Sequence, residues 1–290
     1  MRNRWKTFSG QWTRLRHRST PAAVHEMRSA SRRMVSSICV AAWSSDVPAK
    51  QATHRLKHVS DQLGPLRDNY VYQKTLERLN CAEHVRPFAR FLARRKLHER
   101  RRLDKFFGRY RKRAVRRRID KLERRLRRIL RDWTVGDFYI AFEKVLRRQY
   151  KALILAHQAW ENNPDNKRFH RMRIEVRDLR YASEVVAEVL GLSRTHKVQT
   201  SLQLLRSLQT TMGDIHDIHK LRTELVKWIR SRPVRKCKLE ISVAAELQKE
   251  FECRMVEFKD HTLASEDLLL LLQKPRRQAI RRIAGTNSPS

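Results

Sequence analysis

The chain has 290 residues, of which 66 are Lys or Arg and 30 are Asp or Glu, so its formal net charge is +36. Self-repulsion on that scale disfavours a compact molecule unless a partner of opposite charge lowers the cost. The 40% of hydrophobic residues excludes a disordered basic tail, and the longest apolar run, residues 268–272, is too short to span a bilayer.

Only 7 Gly and 8 Pro interrupt the chain, which favours long helices over short strands. Residues 1–19 are predicted to form a loose basic lead-in, and because no apolar stretch follows it we expect a cytoplasmic protein. A first helix is predicted to begin at the Thr20-Pro21 cap and to run to about Trp43. The next two predicted helices end at about residues 63 and 80, with Gly64-Pro65 between them.

Residues 91–131 are the most basic part of the chain, with 20 Lys and Arg against 4 acids, a net of +16. Apolar residues recur through this stretch at helical spacing, for example at Leu103, Phe107 and Ile119. The charge is therefore predicted to lie on amphipathic helices, as either a polyanion-binding face or a solvated one.

Further helices are predicted over residues 134–160, 165–190, 194–212, 214–230 and 238–259, followed by a short helix ending near residue 273 and a flexible basic tail, 274–290. The fold class is therefore all-α, and the folded domain is predicted to cover residues 20–273.

Two sequence blocks recur in the same order, which indicates an internal repeat. Residues 24–28 match residues 169–173, each a His-x-x-Arg motif, and residues 57–64 match residues 206–213. Asp68 and Asp217 follow four residues after the two glycines that end the second block. We therefore predict a bundle of two pseudo-two-fold related halves, about 20–131 and 165–273, joined by a connecting helix over about 134–160. Gly64 and Gly213 are both predicted to end helices.

The repeated cations fall on one side of each helix, within about 60° of one another and about 100° from the apolar stripe. In the first half they are His25, Arg28 and Arg32; in the second they are His170, Arg173, Arg177 and Arg180. Too few acids lie nearby in sequence to neutralise them, so they are predicted to border a groove and to grip successive phosphates of a linear ligand. The alternative is ion pairing with acids from other helices.

These blocks resemble the conserved histidine α-helical domain family, CHAD. The resemblance lies in Val24 to Arg33, Leu63 to Asp68, His170 to Tyr181 and Met212 to Asp217, and it covers about residues 20–273. It implies a basic central pore that binds inorganic polyphosphate. The residues that it implies for binding are His25, Arg28, Arg32, Arg33, Lys57, Arg67, His170, Arg173, Arg177, Arg180 and Arg206. The chain departs from the family pattern at Val35, where an Arg is usual, and at Asp178, where a basic residue is common.

We therefore expect non-enzymatic polyphosphate binding, with no metal and no cofactor. The resemblance also implies association with polyphosphate granules. The alternative is sequence-nonspecific nucleic-acid binding, although no helix-turn-helix, zinc-finger or RNA-stacking motif is visible. His54 with His58, and His216 with Asp217 and His219, form only weak zinc signals because further ligands cannot be named.

Overall fold

The computed structural model describes residues 1–79, 83–233 and 238–259. These residues form an all-α fold whose helices are α1 (Arg2–His17), α2 (Pro21–Ser44), α3 (Lys50–Gln62), α4 (Gly64–Arg78), α5 (Arg86–Arg109), α6 (Lys112–Ile129), α7 (Val135–Asn162), α8 (Asn166–Val189), α9 (His196–Arg230) and α10 (Lys238–Lys259). None of the described helices combines the length and the apolar character needed to cross a membrane.

Side-chain caps explain where several helices begin. The Thr20 hydroxyl accepts a hydrogen bond from the Ala23 amide at 3.1 Å. Thr20 is therefore the N-cap of α2, which begins at Pro21. Thr134 and Asp137 form a reciprocal capping box at the start of α7, and Asp165 caps α8. The predicted starts of these helices are therefore confirmed to within a residue.

The N-terminal segment was predicted to be a loose lead-in, and this prediction is wrong. Arg2–His17 is a helix that buries Phe8, Trp12 and Leu15. Trp12 packs edge-on against Phe107 of α5, with ring centroids 4.6 Å apart. Burial of three large apolar side chains on one face outweighs the helix's five exposed or partly exposed Lys and Arg, so α1 is part of the first core.

The predicted break at Gly213 is also wrong, because α9 is one helix of 35 residues. Gly213 does not have positive φ, and Met212 and Ile215 on either side of it are fully buried. A glycine inside a helix costs about 1 kcal/mol relative to alanine. Burial of the continuous apolar stripe of α9 offsets that cost, whereas an interruption of the helix at Gly213 would expose part of the stripe.

Three large apolar clusters, and a small fourth one between α8 and α9, hold the described helices together. The first joins α1, α2, α3 and α6 with the end of α5, and the second joins α7, α8 and α9. The third is built from α4 and α5 together with the ends of α9 and α10, so it draws on both predicted halves. The two helices that carry the His-x-x-Arg motifs, α2 and α8, also pack against each other.

The helix α7, predicted as a connection between halves, packs along α8 and contributes Phe142, Leu146 and Leu153 to the second cluster. The predicted short helix ending near residue 273 and the tail over 274–290 lie outside the described residues. The two-fold relation of the halves and the pore remain predictions.

Candidate functional site

A cavity of about 350 Å³ lies between α2, α3, α7 and α8. Four predicted binding residues line it: Arg28 and Arg32 from α2, Lys57 from α3 and Arg177 from α8. Two acids, Asp61 and Asp178, also line it, so the lining side chains carry four positive and two negative charges. The structure therefore brings cations from both halves to one hollow with a surplus of positive charge.

The space exists because one face of α2 carries small side chains. The small side chains of this face that line the cavity are Ser31, Val35, Ser36 and Cys39. Together with Arg28 and Arg32 they recur at the i, i+3, i+4, i+7 spacing of one helix face. The Ser31 hydroxyl donates to the Met27 carbonyl oxygen at 2.8 Å and is thereby turned back onto its own helix. Val35 stands where the resemblance to the CHAD family predicts an arginine. Its short apolar side chain leaves this part of the wall uncharged.

Arg28 and Arg32 hold their charge without a carboxylate partner. Arg28 donates to the backbone carbonyl oxygen of Ser60 at 2.6 Å, while Arg32 makes no hydrogen bond or ion pair within the described part of the chain. Burial, together with Arg28 and Arg177, lowers the pKa of Arg32 to about 10. Arg32 is still cationic at neutral pH. Burial is the main cause of its lowered pKa, and the charges of Arg28 and Arg177 add a positive potential that no described carboxylate contact compensates.

Arg173 lies close enough to this cluster to share its potential. Burial lowers its pKa to about 10; Asp217 opposes the shift, and Arg177, Arg32 and Arg67 add to it. Its Nε atom is buried without a hydrogen-bond partner, and Nη2 lies 3.5 Å from Nδ1 of His170. This buried guanidinium N–H is therefore an unsatisfied donor in the described chain, which adds to the cost of holding Arg173 as a cation there.

Two histidines stack beside Arg173. The rings of His170 and His216 are 4.7 Å apart and inclined by 28°. Burial, with Arg173 as the next cause, lowers the pKa of both, in the case of His216 to about 2. Both imidazoles are therefore neutral at pH 7, so in the free protein they offer hydrogen bonds and not charge.

Some predicted cations are instead neutralised across the two halves. Arg67 of α4 donates to both carboxylate oxygens of Asp217 of α9, each at 2.8 Å. Burial, the largest single cause, would lower the pKa of Arg67, but the hydrogen bonds and negative charges of Asp217 and Asp68 together outweigh burial and raise it. Lys220 of α9 donates in turn to Asp68 of α4 at 2.8 Å. The two aspartates predicted from the repeat therefore orient cations of the opposite half.

A second group of predicted residues converges on Glu184 and does not line the cavity. Arg180 donates to it at 2.7 Å, Arg206 at 3.4 Å, and Arg33 lies 3.8 Å away. Arg180 is 6% exposed and also donates to Gln209, so its donors are used within the fold. His25 is exposed and does not line the cavity. For Arg67, Arg180 and Arg206 the alternative of internal ion pairing is thus the one observed.

The weak metal signals find no support in the geometry. Across residues 1–79, 83–233 and 238–259, no three His, Cys, Asp or Glu side chains converge as metal ligands would. His54 and His58 line the same surface groove, where His58 packs edge-on against Phe106 at 5.3 Å.

A family model described as the CHAD domain matches residues 1–226 of the chain. The chain belongs to the CHAD domain family. The match includes α1, in agreement with the place of that helix in the first core. The fold is similar to the crystal structure of the CHAD domain from the plant Ricinus communis, with a TM-score of 0.68, 17% identity, and 90% of this chain and 89% of that chain covered. At that identity the likeness shows the fold alone. No curated protein matches the chain.

Within this CHAD domain, sequence reasoning missed Gln149 and Tyr181 of the cavity wall and Lys220 beside the histidine pair. Tyr181 follows Arg177 by four residues on α8. That spacing predicts that the two side chains lie on the same wall. Gln149, like Glu143, is a buried polar residue among the apolar side chains of α7, a pattern visible in the sequence. Lys220 becomes relevant only because α4 and α9 pack together.

Proposed function

We propose that this CHAD domain binds inorganic polyphosphate electrostatically in the cavity and catalyses no reaction. The observation that supports this most strongly is the pair Arg28 and Arg32 of the cavity wall, both half-buried and both without a carboxylate partner in the described chain. Cations in that setting are costly, and an anionic ligand removes the cost. Arginine matches phosphate oxygens with several fixed donors, so successive phosphates suit a cluster of this kind.

A ligand without bases fits the cavity better than nucleic acid does. Its two aromatic rings are Trp43 and Tyr181, and each already has a guanidinium over its face: Arg148 at 5.2 Å and Arg180 at 4.2 Å. Single-stranded nucleic acids gain much of their binding free energy by stacking bases on free rings. Phosphate contacts alone need no such platform.

The absence of a reaction is part of the proposal, and the chemistry of the wall supports it. Burial raises the pKa of the Cys39 thiol, so this group is held as a thiol and not as the nucleophilic thiolate. The Ser31 hydroxyl donates its hydrogen bond to the Met27 backbone carbonyl oxygen, and not to a general base. From the family resemblance, the proposal extends to a cytoplasmic binder that associates with polyphosphate granules.

The test is titration of the full chain with long-chain polyphosphate by isothermal calorimetry. A cavity variant, Arg28→Gln with Arg32→Gln and Lys57→Gln, removes three cations of the cavity wall that no described acid pairs. We expect its affinity to fall at least about a hundredfold, because hydrogen bonds to charged groups contribute about 1.5–3 kcal/mol each.

The matched control is an outer-surface variant, Arg125→Gln with Arg127→Gln and Arg128→Gln. These side chains are exposed on α6, and removing them lowers the net charge by the same three units. Equal losses in the two variants, with both folded by circular dichroism, would show that only net charge matters and would refute the cavity. Single-stranded DNA that displaces polyphosphate at equal charge would favour the nucleic-acid alternative.

A further inference from the structure

A basic groove runs along the outer face of the first half, between α3 and α6. One part, of about 580 Å³, is lined by Lys50, Arg55 and Arg118. The adjoining part, of about 450 Å³, shares Arg55 and Arg118 and adds Arg117, Lys121 and Arg124. Six cations from two helices therefore line one continuous depression, and none of them belongs to the cavity described above.

The acids near this groove do not neutralise its cations. Asp120 lies in the wall, but its carboxylate is 2.7 Å from the guanidinium of Arg116, outside the groove. Glu123, the other acid of α6, lies 3.5 Å from the same Arg116. Within the described chain no carboxylate comes within 4.0 Å of the groove cations, and Arg118 donates only to the neutral Gln51 side chain at 2.8 Å.

The groove is joined to the cavity by a shallow depression over the turn between α2 and α3. That depression shares Cys39 and Trp43 with the cavity and Lys50 with the groove. One acid, the exposed Asp46, lines it. A linear ligand that leaves the cavity at Trp43 can therefore follow the surface to Lys50 and onto α6 without crossing a helix.

The rings in the groove are already engaged with one another. Tyr110 stacks on Phe106 at 4.7 Å, lies 5.7 Å from His58, and donates its hydroxyl proton to the Arg55 carbonyl oxygen at 3.1 Å. Arg55 lies over the same ring at 5.9 Å. Rings in this arrangement do not present a free face to a base, so the groove favours a chain of phosphates over a nucleic acid.

We infer that the α3–α6 groove is a second polyphosphate-binding subsite, which takes the part of a long chain that extends beyond the cavity. This rests on the proposed function and adds to it a preference for long chains. A short chain occupies the cavity and gains nothing from the groove, whereas a long chain contacts both and gains from the high effective concentration of its own tail.

The test compares tripolyphosphate and long-chain polyphosphate as probes of three folded variants over a range of salt concentrations. The groove variant is Arg117→Gln with Arg118→Gln and Arg124→Gln; the outer-surface variant and the cavity variant are those defined above. All three lose three positive charges, and the groove and outer-surface substitutions lie on the same helix.

For the groove variant we expect long-chain affinity to fall roughly tenfold or more, and the slope of log affinity against log salt to become shallower by about 2, since each phosphate contact of a single strand contributes about 0.7. Its affinity for tripolyphosphate should equal that of the wild type. The outer-surface variant should match the wild type for both probes.

Equal long-chain losses in the groove and outer-surface variants would overturn the subsite, as would a matching loss of tripolyphosphate affinity in the groove variant. A groove variant that loses single-stranded DNA binding but keeps long polyphosphate binding would assign the groove to nucleic acid and overturn it too. Failure of the proposed function gives a different pattern, because the cavity variant would then keep its tripolyphosphate affinity.

Discussion

At the scale of single residues, the site is defined by which cations have partners and which do not. The sequence placed eleven basic residues in one class, and the fold divides them. Arg67 and Arg180 donate to carboxylates, Arg28 donates only to a carbonyl oxygen, and Arg32 has no partner in the described chain. A paired arginine positions its neighbours, whereas an unpaired one is available to a ligand.

The neutral histidines give a prediction about pH. The pKa of His216 is lowered to about 2 in the folded state, while an unfolded histidine titrates near 6.5, so below about pH 6.5 the unfolded chain binds more protons. The free energy of unfolding should therefore fall as the pH drops below about 6.5, and less steeply in His216→Gln.

Urea unfolding between about pH 7.5 and about pH 5 measures this dependence. The control is His25→Gln, which replaces an exposed imidazole on α2. A pH dependence in His216→Gln as steep as that of the wild type would contradict the assignment of the histidine pair as buried and neutral.

At the scale of helices, local sequence signals predicted where helices begin better than where they end or are interrupted. Caps at Thr20, Thr134 and Asp165 lie next to the residues they start, so a short stretch of sequence contains them. Gly213 and the segment 1–19 were misjudged because their conformations are set by partners far along the chain. Trp12 becomes a core residue only when Phe107 is beside it.

The continuous α9 predicts the effect of one substitution. Gly213 lies inside the helix, and a Cβ atom placed there meets nothing within 4 Å. Gly213→Ala should therefore raise the free energy of unfolding by about 0.5–1 kcal/mol, because alanine loses less backbone entropy on folding. Chemical denaturation measures the change. A destabilised variant would contradict the continuous helix, since an alanine is strained at a left-handed helix end but not inside a helix.

At the scale of the whole molecule, two reciprocal ion pairs connect α4 to α9, next to a surplus of cations. Arg67 pairs with Asp217, and Lys220 pairs with Asp68. With a net charge of +36, the molecule has few acids to spare, and these two hold the halves together where the cavity cations repel each other.

Asp217→Asn should consequently destabilise the protein by about 2–3 kcal/mol, because it leaves Arg67 half-buried without its bidentate partner. Saturating polyphosphate should recover part of the loss by neutralising neighbouring cations. Thermal unfolding with and without polyphosphate measures both effects. Asp214→Asn is the control, since its carboxylate lies 3.9 Å from an exposed Arg78 and such pairs contribute at most about 1 kcal/mol. Equal effects of the two substitutions would contradict the role of Asp217.

By itself, the sequence determined the helical class, most helix starts, the repeated motifs and the family, because each depends on residues that are close in the chain or on a pattern repeated along it. Tertiary structure alone decided which arginines are free. Glu184 and Asp217 neutralise Arg206 and Arg67 from 22 and 150 positions away, and only the packing of α8 on α9 and of α4 on α9 sets those distances. Coulomb interactions depend on separation in space, which spacing along a helix does not supply.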